Sequence, residues 1–338
     1  MRSTLFDKRF FQPTYNKGTL MKLGKLLAAG LAVLATAIGS AAHAEYPEKP
    51  IRLIIPYQAG GGTDILARVI TENLRSRINQ PIIIDTKPGG NTVIGAKALL
   101  AAPPDGYTLM LTTNQTFTTV PFIMKNAGYT PLESFTFINY VAYTPVVLVV
   151  HPSVKAQNLS EFIAQAKAEP NKLSYGSYGV QLSAELFQKM VGIRLNTIQY
   201  KGVEAVHALM GGHVDAMFDG VFTALPNIRA GKARALAMLQ ESRTQFAPEI
   251  PSAHELGVKV PSLQIWYGLV GPAGMDPKVV AKLEQEFRIA MQSAEVKEKL
   301  AKLSVESVGE GRVVLQKMVK DEYARYADIV KDLGVQPQ

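Results

Sequence analysis

The chain has no cysteine among its 338 residues. Disulfides, thiolate nucleophiles and cysteine-based metal centres are therefore excluded together. It carries one tryptophan, and no Lys/Arg cluster with interleaved aromatic side chains, so the signature of a nucleic-acid binder is missing. The formal charge of +8 looks basic, yet residues 1–44 hold six of the cations and one of the acids, leaving the remainder near +3. Such a balance describes a solvated mixed surface rather than a polyanion site. A hydrophobic run long enough to cross a bilayer is also lacking, since the apolar stretch of residues 26–38 falls short of the roughly 20 residues a span requires.

That stretch reads instead as part of an export signal. Lys22 and Lys25 supply a basic segment, residues 26–38 the apolar one, and Ala42-His43-Ala44 a small-residue cleavage site. Cleavage is expected after Ala44, and Met21 would begin a signal of ordinary length. An exported chain without disulfides needs a conventional core. The 294 residues beyond Ala44 can bury one, and they sit near the size at which cores divide, so two domains are expected.

Strand-like and helical segments alternate. Ile51–Ile55, Ile65–Arg77, Ile82–Asp85, Thr92–Ala101 and Tyr107–Thr112 predict a β-α-β-α-β series with mostly parallel pairing. A second series follows: strand Val146–Val150, helix Leu159–Ala168 opened by Asn158 or Ser160, then Leu173–Tyr175, Ala184–Val191, Thr197–Tyr200, Val203–Met210 and Ala216–Phe218. From Pro277 the pattern is mainly helical, with stripes that face a core. Two apolar passages, residues 140–150 and 263–270, could cross between lobes. The second lobe is then an insertion in a discontinuous first one, with a cleft between.

Three glycine-containing loops follow strands. Gly60-Gly61-Gly62-Thr63-Asp64 exposes N–H groups at a helix N-terminus, an anion-binding arrangement. No Lys-Ser/Thr follows the glycines and residue 65 is Ile, so neither a P-loop nor a dinucleotide fingerprint is present. Lys87-Pro88-Gly89-Gly90-Asn91-Thr92 and Tyr175-Gly176-Ser177-Tyr178-Gly179-Val180 are the other two. Each could be an ordinary turn, but loops at strand C-termini are where open α/β sheets bind ligands. Catalytic machinery is not apparent. Gly176-Ser177-Tyr178-Gly179 lacks the spacing of a nucleophile elbow, His207 and His213 are too far apart to share a helix face, and the carboxylates are scattered. No metal, cofactor or catalytic residue is expected. Trp266 and Tyr267 read as inter-lobe packing, with a cleft wall as the alternative.

Taken in order, several segments resemble the Bug family, the TctC-like extracytoplasmic solute-binding proteins of tripartite tricarboxylate transporters. They are Tyr46-Pro47 to Asp64 with Ala67-Arg68; Pro88-Gly89 to Ala96; Pro104-Asp105-Gly106-Tyr107-Thr108; Tyr200-Lys201-Gly202; Gly211 to Asp219; Ala230 to Ala237; and Trp266-Tyr267-Gly268-Leu269 with Gly271-Pro272-Ala273-Gly274. The resemblance implies an α/β, two-lobed periplasmic binding protein of type II-like build. Two α/β domains, residues 45–145 plus 266–338 and residues 146–265, are joined by two crossover strands around a ligand cleft.

By the same resemblance the carboxylate of a small solute is held largely by main-chain N–H groups and water. That carries over to Tyr57, Gln58, Ala59, Gly60, Gly61, Gly62, Thr63 and Asp64, and to Ser177, Tyr178 and Gly179. Thr112, Asn114, Lys201, Gly202 and Asp219 lie on corresponding crevice loops. The expected partners are a di- or tricarboxylate, an acidic amino acid or an aromatic acid, and the integral-membrane transporter subunits; the chain is expected to be a periplasmic, Gram-negative monomer that binds no nucleic acid. One segment departs from the pattern: Val180 runs directly into Gln181-Leu182-Ser183, without the Gly-Ser-x-x-His stretch usual there. Aromatic walls from Tyr57, Tyr178 and Trp266 would shape a pocket so changed. The sequence also admits a sensor that signals to a two-component kinase, and a periplasmic enzyme on a carboxylated substrate.

Overall fold

The computed structural model describes residues 46–178, 181–200, 202–260 and 262–334. The export signal, Gly179, Val180 and Lys201 lie outside the described residues. Strand β1 (Ile51–Ile55), helix α1 (Gly62–Ile78), β2 (Ile82–Thr86), α2 (Val93–Leu100) and β3 (Thr108–Thr113) form the first series, with β1 parallel to both β2 and β3. β1 is apolar at four of five positions because sheet and helices cover both of its faces. α1 buries Leu66, Ala67, Ile70, Leu74 and Ile78 at helical spacing and stops at Asn79 in the left-handed region. It starts at Gly62, three residues before the apolar periodicity that suggested Ile65, because the glycine and threonine of its first turn carry no apolar signal.

A π-type turn at Gln115–Thr119 and the short α3 (Val120–Ile123) lead into β4 (Phe135–Val150). The second half comprises α4 (Leu159–Ala168), β5 (Ser174–Ser177), α5 (Gln181–Val191), β6 (Asn196–Gln199), α6 (Glu204–Met210), β7 (Ala216–Gly220), α7 (Val221–Arg229), β8 (Arg234–Met238) and β9 (Gln264–Pro272). Asn158 is the cap of α4, its side-chain oxygen accepting from the Glu161 N–H at 2.9 Å. The chain ends in α8 (Pro277–Gln292), α9 (Ala294–Lys302), β10 (Glu306–Gly311) and α10 (Arg312–Leu333).

β4 organises the sheet. Its first part, to Pro145, pairs antiparallel with β9 and β10; its last five residues pair antiparallel with β7 and β8. The continuous order is β2-β1-β3-β9-β4-β7-β5-β6. Among the named strands, parallel ladders join β1 with β2 and β3, and β5 with β6 and β7. β4 is far longer than the predicted Val146–Val150, and β8 and β10 were not foreseen. Phe135–Pro145 has no strict polar/apolar alternation, since both its faces are covered, and β10 with its two glycines has little strand propensity of its own.

Separate cores lie on either side of the switch at Pro145/Val146. Beyond it, Phe162, Tyr175, Phe187 and Phe218 pack together, Tyr175 and Phe187 both edge-on to Phe218 at 5.5 and 5.2 Å. Before it, Leu53, Leu66, Ile70 and Phe287 fill one face of the sheet, and Ile54, Phe117, Trp266 and Leu315 the other. Each such side chain contributes about 1.5–3 kcal/mol by burial. Among the described residues no helix is long and apolar enough to cross a membrane.

Candidate functional site

The β1–α1 loop is held by its own backbone. The Gly61 N–H donates to the Gln58 carbonyl at 3.2 Å, and the Gly60 N–H to Asp64 Oδ2 at 2.8 Å, with Gly60 in a positive-φ conformation that glycine tolerates. These two N–H groups, expected to face a ligand, are therefore committed locally. The first bond inside α1 is from the Ile65 N–H to the Gly61 carbonyl, so the N–H groups of Gly62, Thr63 and Asp64 have no intrahelical acceptor. They form the N-terminal end of a 17-residue helix, where the helix dipole favours negative charge.

Asp64 is 2% exposed. Burial raises its pKa, but the Gly60 N–H and the Arg68 guanidinium at 3.1 Å outweigh that and hold the carboxyl below its ordinary value. Its other oxygen, Oδ1, is buried without a hydrogen-bond partner. Asp64 is thus first a scaffold of the loop, akin to the acidic member of a capping box.

Behind the loop runs a chain of hydroxyls. Tyr57 and Thr113 share a 2.6 Å hydrogen bond, as do Thr112 and Thr116, and the Thr116 hydroxyl donates to that of Thr92 at 2.9 Å. Thr92 sits at φ 83°, a strained position for a β-branched residue, next to Asn91 at φ 49°. Asn114 donates to the Gln264 carbonyl at 3.2 Å and to Glu322 at 3.1 Å, so its amide is engaged with β9 and α10. Trp266, one of the possible cleft aromatics, is instead 1% exposed, stacked on Phe117 and hydrogen-bonded through Nε1 to Glu322 at 2.5 Å. It packs the core.

The second half brings Ser177, Tyr178 and Asp219 from the ends of β5 and β7. Asp219 is 2% exposed, and its Oδ1 accepts from the Tyr178 hydroxyl at 3.0 Å, the Gly220 N–H at 2.8 Å and the Thr223 hydroxyl at 2.5 Å. Burial nevertheless pushes its pKa up to about 6. Burial and the facing carboxylate likewise raise the Tyr178 hydroxyl well above its ordinary value. Ser177 is fully buried with its hydroxyl unpartnered. Gly202 is exposed at positive φ, away from any packed neighbour.

The halves meet at Gly62. A β-carbon there would lie 3.0 Å from the Phe222 ring and 3.7 Å from the Tyr267 hydroxyl. Burial raises the Tyr267 hydroxyl, and the charges of Tyr57 and Asp219 add to the shift; its ring belongs to the core cluster against which Tyr57 and Phe222 pack. The structure therefore gathers Tyr57, Gly62, Tyr178 and Asp219 with Phe222 and Tyr267, and turns Asn114 away. Phe222 escaped sequence reasoning; its position directly after the Asp219-Gly220-Val221 turn was the available signal. Among the described residues no group of three or more His, Cys, Asp or Glu could hold a metal ion.

The profile of the tripartite tricarboxylate transporter family receptors, TctC, matches residues 66–335. The chain belongs to this family of solute-binding proteins. Protein BugT of Bordetella pertussis is 34% identical over 322 residues, covering 93% of this chain and 99% of that one. The solved structure of the periplasmic binding protein BugD superposes with a TM-score of 0.79 at 30% identity, covering 87% of this chain and all of BugD. R. palustris Rpa4515, solved with adipate, gives 0.81 at 28% identity, covering 87% of this chain and all of that one. The fold is that of the two-lobed periplasmic solute-binding proteins.

Proposed function

We propose that this protein captures a small carboxylated solute in the periplasm and delivers it to a tripartite tricarboxylate-type membrane transporter. The lobes comprise residues 45–145 with 266–338, and residues 146–265. The observation that carries the reading is the first turn of α1. Three adjacent N–H groups there have no intrahelical acceptor, and at Gly62 this turn lies beside the Phe222 ring and the Tyr267 hydroxyl. The adipate bound by a structural relative supports a carboxylate as cargo. The ligand's carboxylate caps α1, Ser177 supplies a hydroxyl, and Tyr57, Tyr178 and Tyr267 form aromatic walls. Closure of the lobes then creates the surface that the transporter recognises.

The test is a thermal-shift screen against di- and tricarboxylates, acidic amino acids and aromatic acids, confirmed by calorimetry on wild type and Gly61→Val. Ligand at about 100 times its dissociation constant adds roughly 2.7 kcal/mol, a shift of several degrees. One carboxylate class should stabilise the wild type, and the variant, whose new β-carbon would sit 3.2 Å from the Gln58 carbonyl, should bind it much more weakly. Unchanged tight binding in Gly61→Val would sink the loop assignment.

A further inference from the structure

A cavity of about 220 Å³ lies where α5 of one lobe meets α10 of the other, beside the crossing residues Val146 and Gln264. Its wall is chemically uneven. Leu186 and Ile329 give it an apolar side, while Ser183, Glu322, Arg325 and Tyr326 give it a polar one. The committed groups can be subtracted. Glu322 accepts from Asn114 on one oxygen and from Trp266 on the other, so both of its oxygens are already engaged. Asp321 is paired with Lys317 at 2.5 Å. Ser183 and Tyr326 share one hydrogen bond of 2.6 Å, so of their two hydroxyl hydrogens one remains to donate elsewhere.

Arg325 is the residue left over. Among the described residues its guanidinium makes no hydrogen bond or ion pair, although its charge is felt by Glu322 and Tyr326 on the same wall. A planar fork of donors with an uncommitted hydroxyl beside it and an apolar surface opposite matches a carboxylate on a short carbon chain. We propose that this cavity is a second carboxylate site, distinct from the cleft loops, with Arg325 holding the carboxylate and the Ser183–Tyr326 pair donating to it. An occupant touches α5 and α10 together, so it ties the lobes by a contact outside the cleft.

The experiment uses succinate and acetate as probes, with calorimetry on wild type, Arg325→Ala and Arg325→Lys, and a crystal structure grown with succinate to locate it. Arg325 is exposed, so both variants should keep the wild-type unfolding midpoint without probe. The expected result is succinate density at Arg325, affinity about tenfold or more weaker in Arg325→Ala, and partial rescue in Arg325→Lys. Arg325→Lys keeps the charge, so it carries the test if the alanine variant unfolds. Succinate found only at the α1 N-terminus, affinity unchanged in both variants, or no binding of either probe at millimolar concentration would each overturn the proposal.

Discussion

Each half of the sheet carries one buried aspartate at a candidate site loop, and the two are handled in opposite ways. Asp64 has an arginine and a backbone N–H on the same oxygen, and its pKa falls. Asp219 has only neutral donors, two hydroxyls and an N–H, and its pKa rises to about 6. Asp219 is set deeper and has only neutral donors, so burial dominates and its carboxyl takes a proton in mildly acidic solution, whereas the arginine and N–H at Asp64 keep that carboxylate charged. The first lobe uses its charge to shape a loop whose helix end attracts anions. In the proposed function, the second keeps a carboxyl that an anionic solute can tolerate once it is neutral.

Removing the fixed charge should have the largest effect. Asp64→Ala frees the Gly60 N–H and leaves the loop without its anchor, and is expected to cost about 2–3 kcal/mol in urea denaturation, together with ligand binding. Its contribution is present above the ordinary carboxylate range and lost as pH falls through the lowered pKa.

Asp219 has the reverse sign. The native state keeps its proton up to about pH 6, whereas the unfolded chain releases it near 3.8, so ionising this group costs stability as pH rises between those values. Asp219→Asn should therefore flatten the stability–pH curve over that window and stabilise the protein by about 1–2 kcal/mol at neutral pH. A variant with the wild-type slope would break the comparison. Tyr178→Phe removes one donor from Asp219 Oδ1; a further rise in its pKa and a loss of about 1 kcal/mol are expected, read from the same pH-dependent denaturation. Arg68→Ala should be smallest, below about 1 kcal/mol, because its side chain is 62% exposed and solvent screens the pair.

Much of this asymmetry was legible in the residues, and the illegible part has a physical cause. The glycine run and Asp64 stand together in sequence, so a loop on a helix N-terminus could be read directly, as could the first β-α-β-α-β series, while the cap of α4 was narrowed to Asn158 or Ser160. Which N–H groups of that loop are free could not be read, because Gly60 and Gly61 spend theirs on Asp64 and Gln58 in a fold-specific turn. Asn114 looked like a crevice residue by position, yet its amide is claimed by Glu322, 208 residues away. Phe222 and the Ser183–Tyr326 contact likewise depend on pairings between distant segments, which local periodicity does not record, whereas Tyr267 was singled out from its place on the second crossing. β10 was missed because its pairing with β4, not its composition, makes it a strand.

The most direct test of the central claim is calorimetric titration of the carboxylate that wins the thermal-shift screen, at about pH 5.5 and above pH 7, on wild type and Asp219→Asn. Neutralising Asp219 removes a like charge from the cleft, so wild-type affinity should rise about three- to tenfold at the lower pH, while Asp219→Asn binds with little dependence on pH. An equal pH dependence in both proteins, or weaker binding by the wild type in acid, would contradict the account.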